Sequence, residues 1–223
     1  MARELTSGRS GVPQGQAKQV VIFVHGYGAD GNDLLGLAEP LAPHLPDTAF
    51  YAPDAPERCV GNPFGYQWFP IPWLDGSSEE AAQTSMAASV SDLNAFIDKV
   101  LVDEGVTADR LILLGFSQGT MMSLHVAPRR AEAIAGIVGF SGRLMEPEKL
   151  AEEARVKMPV LLLHGDQDDV VPFASLQQAA EALSTAGFET YAFVMKGTAH
   201  GIAPDGLGQA VGFMRLKLGL DAG

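Results

Sequence analysis

Cysteine is almost missing: Cys59 stands alone in 223 residues, so the chain can close no internal disulfide and has no thiolate set for a metal. Basic residues are scarce as well. Fifteen Lys and Arg face 27 Asp and Glu, a formal net charge of −12, and such a surface is repelled by phosphate backbones and anionic lipids. A nucleic-acid partner is therefore not expected. Long apolar runs are also absent, none approaching the ~18 consecutive residues of a membrane span, which argues against stable membrane insertion. The opening MARELTSGRSGVPQGQ is polar and glycine-rich without the central apolar block of a secretory signal. A cytoplasmic setting is the default expectation.

What the chain does have is apolar content, 47% hydrophobic against 19% charged, which is too much for disorder and enough for one sizeable core. We expect a flexible N-terminal segment over residues 1–17 and a single domain over 18–223. Short apolar runs bounded by Gly, Pro or polar residues recur at Val20–Val24, Ala49–Ala52, Leu111–Leu114, Ile134–Phe140, Val160–Leu163 and Tyr191–Val194. They read as strands, several of them apolar on both faces, as a parallel sheet covered on both sides requires. Helical patterns fall between them. The clearest runs from Ser77 to about Asp103, where Met86, Val90, Leu93, Ile97 and Val100 share one face and Ser77 with Glu80 suggests a capping box. Others are predicted over about Asp33–Leu45, Gln118–Ala127, Phe173–Ala186 and Leu207–Leu218. This alternation predicts an α/β fold with a mostly parallel sheet and a ligand site at the carboxyl ends of the strands.

Directly after Leu111–Leu114 comes Gly115-Phe116-Ser117-Gln118-Gly119, followed by the helix-prone TMMSLHVA. As a bare string, G-x-S-x-G is a weak signal in a chain with 25 glycines. Its context is what counts: a strand turning sharply into a helix leaves the serine hydroxyl protruding, with small residues on either side to avoid collision. Ser117 is the candidate nucleophile, and the Gln118 N–H at the helix start is a candidate oxyanion donor. Ser141, in GFSG, lacks the second glycine at the required offset and reads as a loop residue.

On such a fold an acid and then a histidine follow the nucleophile in chain order. After Val160–Leu163 the segment His164-Gly165-Asp166-Gln167-Asp168-Asp169 holds three carboxylates, and after Tyr191–Val194 comes Gly197-Thr198-Ala199-His200-Gly201. His200 has the loop position and chain order of a general base, and imidazole is the side chain that ordinarily titrates near neutral pH. His25 and His164 end strands and His125 falls inside a helix, which suits structural roles, and His44 reads as a solvated helix end. Asp168 is favoured as the partner of His200. Asp166 sits close enough to the strand to cap the turn, and Asp169 should face the other way along an extended loop.

Together, HGYGADGNDL, YAPDAP, GFSQG, HGDQDDVVP and GTAHGI resemble the carboxylesterase/phospholipase family of α/β-hydrolases, which includes small bacterial carboxylesterases and acyl-protein thioesterases. The resemblance spans about residues 18–218. It implies the α/β-hydrolase fold without a large lid, a triad of Ser117, Asp168 and His200, and a second oxyanion donor at the backbone N–H of Tyr27. Gly26 and Gly28 give that backbone the freedom to present it. In the same family the aromatic segment represented here by Trp68, Phe69 and Trp73 walls the acyl groove. The resulting expectation is a cofactor-free, metal-free serine carboxylesterase acting through an acyl-enzyme on small-molecule esters of short to medium acyl chain. An acyl thioesterase or lysophospholipase acting on longer acyl groups is the alternative, and a non-catalytic binding module is a remote third. A homo-oligomer stays open.

Overall fold

A computed structural model describes residues 2–221; Met1, in the expected flexible segment, and Ala222 and Gly223, at the end of the expected domain, lie outside the described residues. The strands are β1 (Ser7–Gly11), β2 (Gln19–Val24), β3 (Thr48–Pro53), β4 (Glu57–Arg58), β5 (Tyr66–Gln67), β6 (Leu111–Phe116), β7 (Gly136–Phe140), β8 (Val160–Gly165) and β9 (Thr190–Met195). Seven of them form one sheet in the order β1-β3-β2-β6-β7-β8-β9, while β4 and β5 pair separately. All neighbours in the large sheet are parallel except β1, which runs antiparallel to β3.

Alternation along the strands divides the core in two, because successive side chains point to opposite faces. Val20, Ile22 and Val24 of β2 and Leu111 and Leu113 of β6 face one apolar layer, and Val21, Phe23, Ile112 and Leu114 face the other. The first layer is closed by α4 (Glu79–Glu104), α5 (Gln118–Val126), α6 (Pro147–Glu153) and α7 (Ala174–Thr185). The second is closed by α1 (Gly31–Leu35), α2 (Ala38–Leu41) and α8 (Pro204–Lys217). A short α3 (Pro72–Asp75) lies in the aromatic connection before α4. None of the described helices is long and apolar enough to cross a membrane. This is the α/β architecture expected from the alternation of strand and helix.

Three local expectations are corrected. The helix predicted over Asp33–Leu45 is divided into α1, α2 and a 3-10 turn at Ala42–His44; Gly36, Pro40 and Pro43 deny it a continuous hydrogen-bond ladder. The cap of α4 is Ser78, whose hydroxyl accepts the N–H of Ala81 at 3.1 Å, one residue beyond the expected Ser77. And residues 1–17, expected as a flexible N-terminal segment, contain β1. Its exposed, polar residues carry no apolar pattern, but backbone pairing to β3 and ion pairs to α4 hold it: Arg3 Nε to Asp92 at 2.7 Å and Arg9 Nη2 to Glu104 at 2.8 Å.

Register places the chemistry. Val24 lies opposite Gly115 and Phe116 opposite Phe140, so β2, β6 and β7 deliver the segments after them side by side at one edge. The loop after β8 joins them there, where the N–H of Ser141 donates to Leu163 O at 2.8 Å.

Candidate active site

Ser117 occupies the junction of β6 and α5 with φ 53° and ψ −115°, a strained conformation for a residue with a side chain. Its N–H donates to Phe140 O at 2.9 Å, tying the turn to β7. The glycines two before and two after are forced by close approach: a Cβ on Gly119 would collide with the carbonyl of Val24, and one on Gly115 with the backbone of Gly119 and Thr120. The motif is thus the set of residues that allows α5 to start directly against the ends of β2 and β6.

Gly26 lies against Ser117, since a Cβ there would stand 3.3 Å from the serine Cβ. The next residue is Tyr27, whose backbone N–H has no acceptor among the described residues. Gln118 is the first residue of α5, where an N–H has no intrahelical acceptor. Two backbone donors therefore flank the serine. The phenol of Tyr27 points elsewhere, donating to Asp75 Oδ2 at 3.1 Å, and burial, Cys59 and Asp75 push its pKa up.

Asp168 is buried in the loop after β8 with both oxygens in use. Oδ1 accepts the N–H groups of Val170 and Val171, each at 2.9 Å, and Oδ2 lies 2.8 Å from His200 Nδ1. Burial opposes the charge, but His200 and the two N–H groups outweigh it and hold the carboxyl below its ordinary range. Of its neighbours, Asp166 accepts the N–H of Gly197 at 2.7 Å and so caps the turn leading to His200, while Asp169 is exposed. The His200 ring rests on Phe116, with centroids 4.9 Å apart, next to Ser117. A hydrogen bond between Ser117 and His200 is not formed among the described residues, and such bonds commonly tighten only when substrate is bound.

Of the other histidines, His25 and His164 are held by hydrogen bonds to their surroundings. His25 accepts the Ala55 N–H at Nε2, 2.9 Å, and Nδ1 lies 2.7 Å from Gly26 O, so its proton is on Nδ1; burial lowers its pKa. His164 is closer to the chemistry than its strand-end position suggests. Its Nε2 lies 3.0 Å from Val171 O and 3.2 Å from Asp168 Oδ2, and since both are acceptors Nε2 carries the proton. Sequence reading missed this second donor to the acid, although the one signal available was the four-residue spacing of His164 and Asp168. It also missed the side chain of Gln118. That amide accepts from Trp68 N at 2.9 Å and donates to Phe69 O at 2.8 Å, clamping the aromatic segment to the nucleophile turn.

Trp68, Phe69 and Trp73, expected together to wall the acyl groove, separate. Trp68 is fully buried and its Nε1 donates to His25 O at 3.0 Å, so it braces the Tyr27 turn rather than facing solvent. Phe69 is 8% exposed and Trp73 74% exposed, and both line a groove with Ile71, Met86 and Arg143. Ser141, as expected, is a loop residue, buried with φ 48°. Among the described residues no three His, Cys, Asp or Glu side chains converge as a metal site.

Comparison with known proteins places the chain in a family. The family model described as Phospholipase/Carboxylesterase matches residues 11–218. Acyl-protein thioesterase 1 of Saccharomyces cerevisiae is 31% identical over 214 residues, covering 91% of this chain and 94% of that protein. Esterase YpfH of Escherichia coli is 27% identical over 190 residues, covering 85% and 79%. The crystal structure of esterase PE8 superposes with a TM-score of 0.90 at 40% identity, covering 97% of this chain and 100% of that one. The chain belongs to the phospholipase/carboxylesterase family of α/β-hydrolases.

Proposed function

We propose that this chain is a serine carboxylesterase that hydrolyses small carboxylic esters of short to medium acyl chain through an acyl-enzyme. The observation that carries the reading is the strained Ser117 turn packed on Gly26, with the Asp168–His200 pair lying on the adjacent Phe116. Ser117 Oγ attacks the ester carbonyl as His200 takes its proton. Asp168 keeps the imidazole in the tautomer whose free nitrogen faces the serine. The N–H groups of Tyr27 and Gln118 hold the oxyanion, which costs no reorganisation because both belong to the backbone of packed turns. Collapse breaks the ester bond, and His200 returns the proton to the leaving alkoxide. Water, deprotonated by His200, then attacks the acyl-enzyme and releases the acid.

The identities of the relatives support a second reading, thioester hydrolysis of longer acyl groups, since acyl-protein thioesterase 1 is among them. The test is a series of p-nitrophenyl esters from acetyl to palmitoyl with matched thioesters, run on the wild type and on Ser117→Ala. The carboxylesterase reading expects a maximum at short oxygen esters that disappears in the variant. A maximum at long thioesters moves the function to deacylation of lipid-modified molecules. Turnover retained by Ser117→Ala overturns the assignment of the nucleophile. In this reading the substrate is a small ester met in the cytoplasm.

A further inference from the structure

We propose that Arg143 makes the groove beside the nucleophile an anion-recognising acyl site, so that the preferred esters carry a free carboxylate at the far end of the acyl chain. This inference rests on the hydrolase reading and names its substrate class: monoesters of dicarboxylic acids, which water converts to the free diacid and the alcohol.

The backbone before Arg143 is held at the nucleophile turn. Gly142 packs on the Thr120 side chain, and a Cβ there would stand 3.0 Å from the carbonyl oxygen of Ser117. Thr120 itself is anchored by its hydroxyl to Phe140 O at 2.8 Å. On the other wall, Phe69 is held by the Gln118 amide. Both walls therefore start from residues beside Ser117. Between them lies a cavity of about 130 Å³ lined by Phe69, Ile71, Met86 and Arg143, and Gln83, Met86 and Arg143 separate it from a second cavity of about 770 Å³ that extends away from Phe69. Phe69, Ile71 and Met86 offer methylene-sized apolar contacts, and the guanidinium stands 5.4 Å above the centroid of the Trp73 ring.

Arg143 is exposed and has no carboxylate within 4 Å among the described residues, as is true of Arg58, Arg110 and Arg155, whereas Arg3, Arg9, Arg129, Arg130 and Arg215 each have one; of the four without one, Arg143 is the one that lines this groove. The acids on the groove do not satisfy it: Glu146 is paired with Lys149, and Glu79 is not within ion-pair distance. His125, on the same groove, is held neutral by burial and by Arg129, with its pKa pushed down to about 4. A guanidinium lying over an indole keeps its planar fork of donors directed outward, a geometry matched to a carboxylate.

The experiment compares p-nitrophenyl monoesters of adipic, pimelic and suberic acids, chains long enough that the free carboxylate does not expel the phenolate itself, with neutral alkanoates of equal length. The wild type, Arg143→Gln, Arg143→Lys and Lys149→Gln are measured, each checked for an unchanged unfolding temperature. The wild-type ratio of kcat/KM, carboxylated over neutral, is expected above one, to fall about tenfold in Arg143→Gln through KM, and to recover in part in Arg143→Lys. High salt should lower the wild-type ratio. A ratio unmoved by Arg143→Gln, or moved as far by Lys149→Gln, overturns the proposal, as does a preference for a carboxylate placed on the alcohol instead of the acyl chain. Failure of the wild type to hydrolyse any of these esters is a different result, and it overturns the hydrolase reading itself.

Discussion

At the scale of single residues the site depends on which carboxylate His200 can reach. Asp168 alone is both buried and bonded to it, so Asp168→Asn, which leaves the shape intact but presents the wrong group to Nδ1, is expected to lower kcat by on the order of 10³–10⁴. Asp169→Asn, on an exposed side chain, and Asp166→Asn, which retains the oxygen that caps Gly197, are expected to stay within a few-fold of wild type. Steady-state kinetics on one ester separates the three, and equal losses at Asp166 and Asp168 would contradict the assignment. His164 adds a second donor to the same oxygen of Asp168. Its replacement by Leu removes that donor from a buried carboxylate, an effect of about 1–3 kcal/mol, whereas Gln can still donate. A lower kcat in His164→Leu, with recovery in His164→Gln, distinguishes an effect through Asp168 from a simple loss of core volume.

At the scale of elements, the decisive contact is the end of β2 against the start of α5. The whole approach depends on residue 119 having no side chain, because the carbonyl of Val24 occupies the space where a Cβ would be. Gly119→Ala must push α5 from the sheet and is expected to cost about 3 kcal/mol or more, at the upper end of overpacking in cores. It should also move Gln118, and with it the aromatic segment held by its amide. Thermal unfolding and activity are expected to fall together in this variant; a full-activity enzyme with unchanged unfolding temperature would contradict the packing described. The aromatic segment is itself braced from two sides, by Gln118 and by the indole of Trp68 on His25.

At the scale of the whole molecule, one buried and one half-buried histidine set the response to acid. Burial lowers the pKa of His25, and burial and Arg129 lower that of His125 to about 4. Both are therefore neutral in the folded chain where the unfolded chain, titrating near the ordinary value of about 6.5, takes up protons. Stability is expected to decline as pH falls below about 6.5. A second loss should follow below the ordinary carboxylate range, as Asp168 and Glu104, both held low in the folded state, are forced to protonate. Urea midpoints measured between pH 7 and 3 should show the two stages, and His125→Gln should reduce the first. A midpoint that is constant from pH 7 to 5 would contradict the neutral burial of these histidines.

Much of the architecture was legible in the chain because its signals are local. β-branched runs bounded by glycine mark the central strands, the four-and-three spacing of Met86, Val90, Leu93, Ile97 and Val100 marks α4, and the order of Ser117, Asp168 and His200 along the chain suits this fold. Where a partner distant in sequence decides, the local pattern was silent. β1 exists because β3 offers an open edge and α4 offers Asp92 and Glu104, none of which is encoded in SGRSG itself. Trp68 and Trp73 look alike in an aromatic run, yet one closes the core on His25 and the other stands in solvent beneath Arg143. The same holds for His164 and Gln118, whose side chains meet Asp168 and the aromatic segment only after the strands are in register. Residue type and spacing by themselves determined which groups could do chemistry and which elements would carry them, because periodicity and turn geometry act over a few residues. Only the tertiary structure decided which of those groups touch, because a hydrogen bond or an ion pair depends on distances of about 3 Å between atoms that can lie a hundred residues apart in the chain.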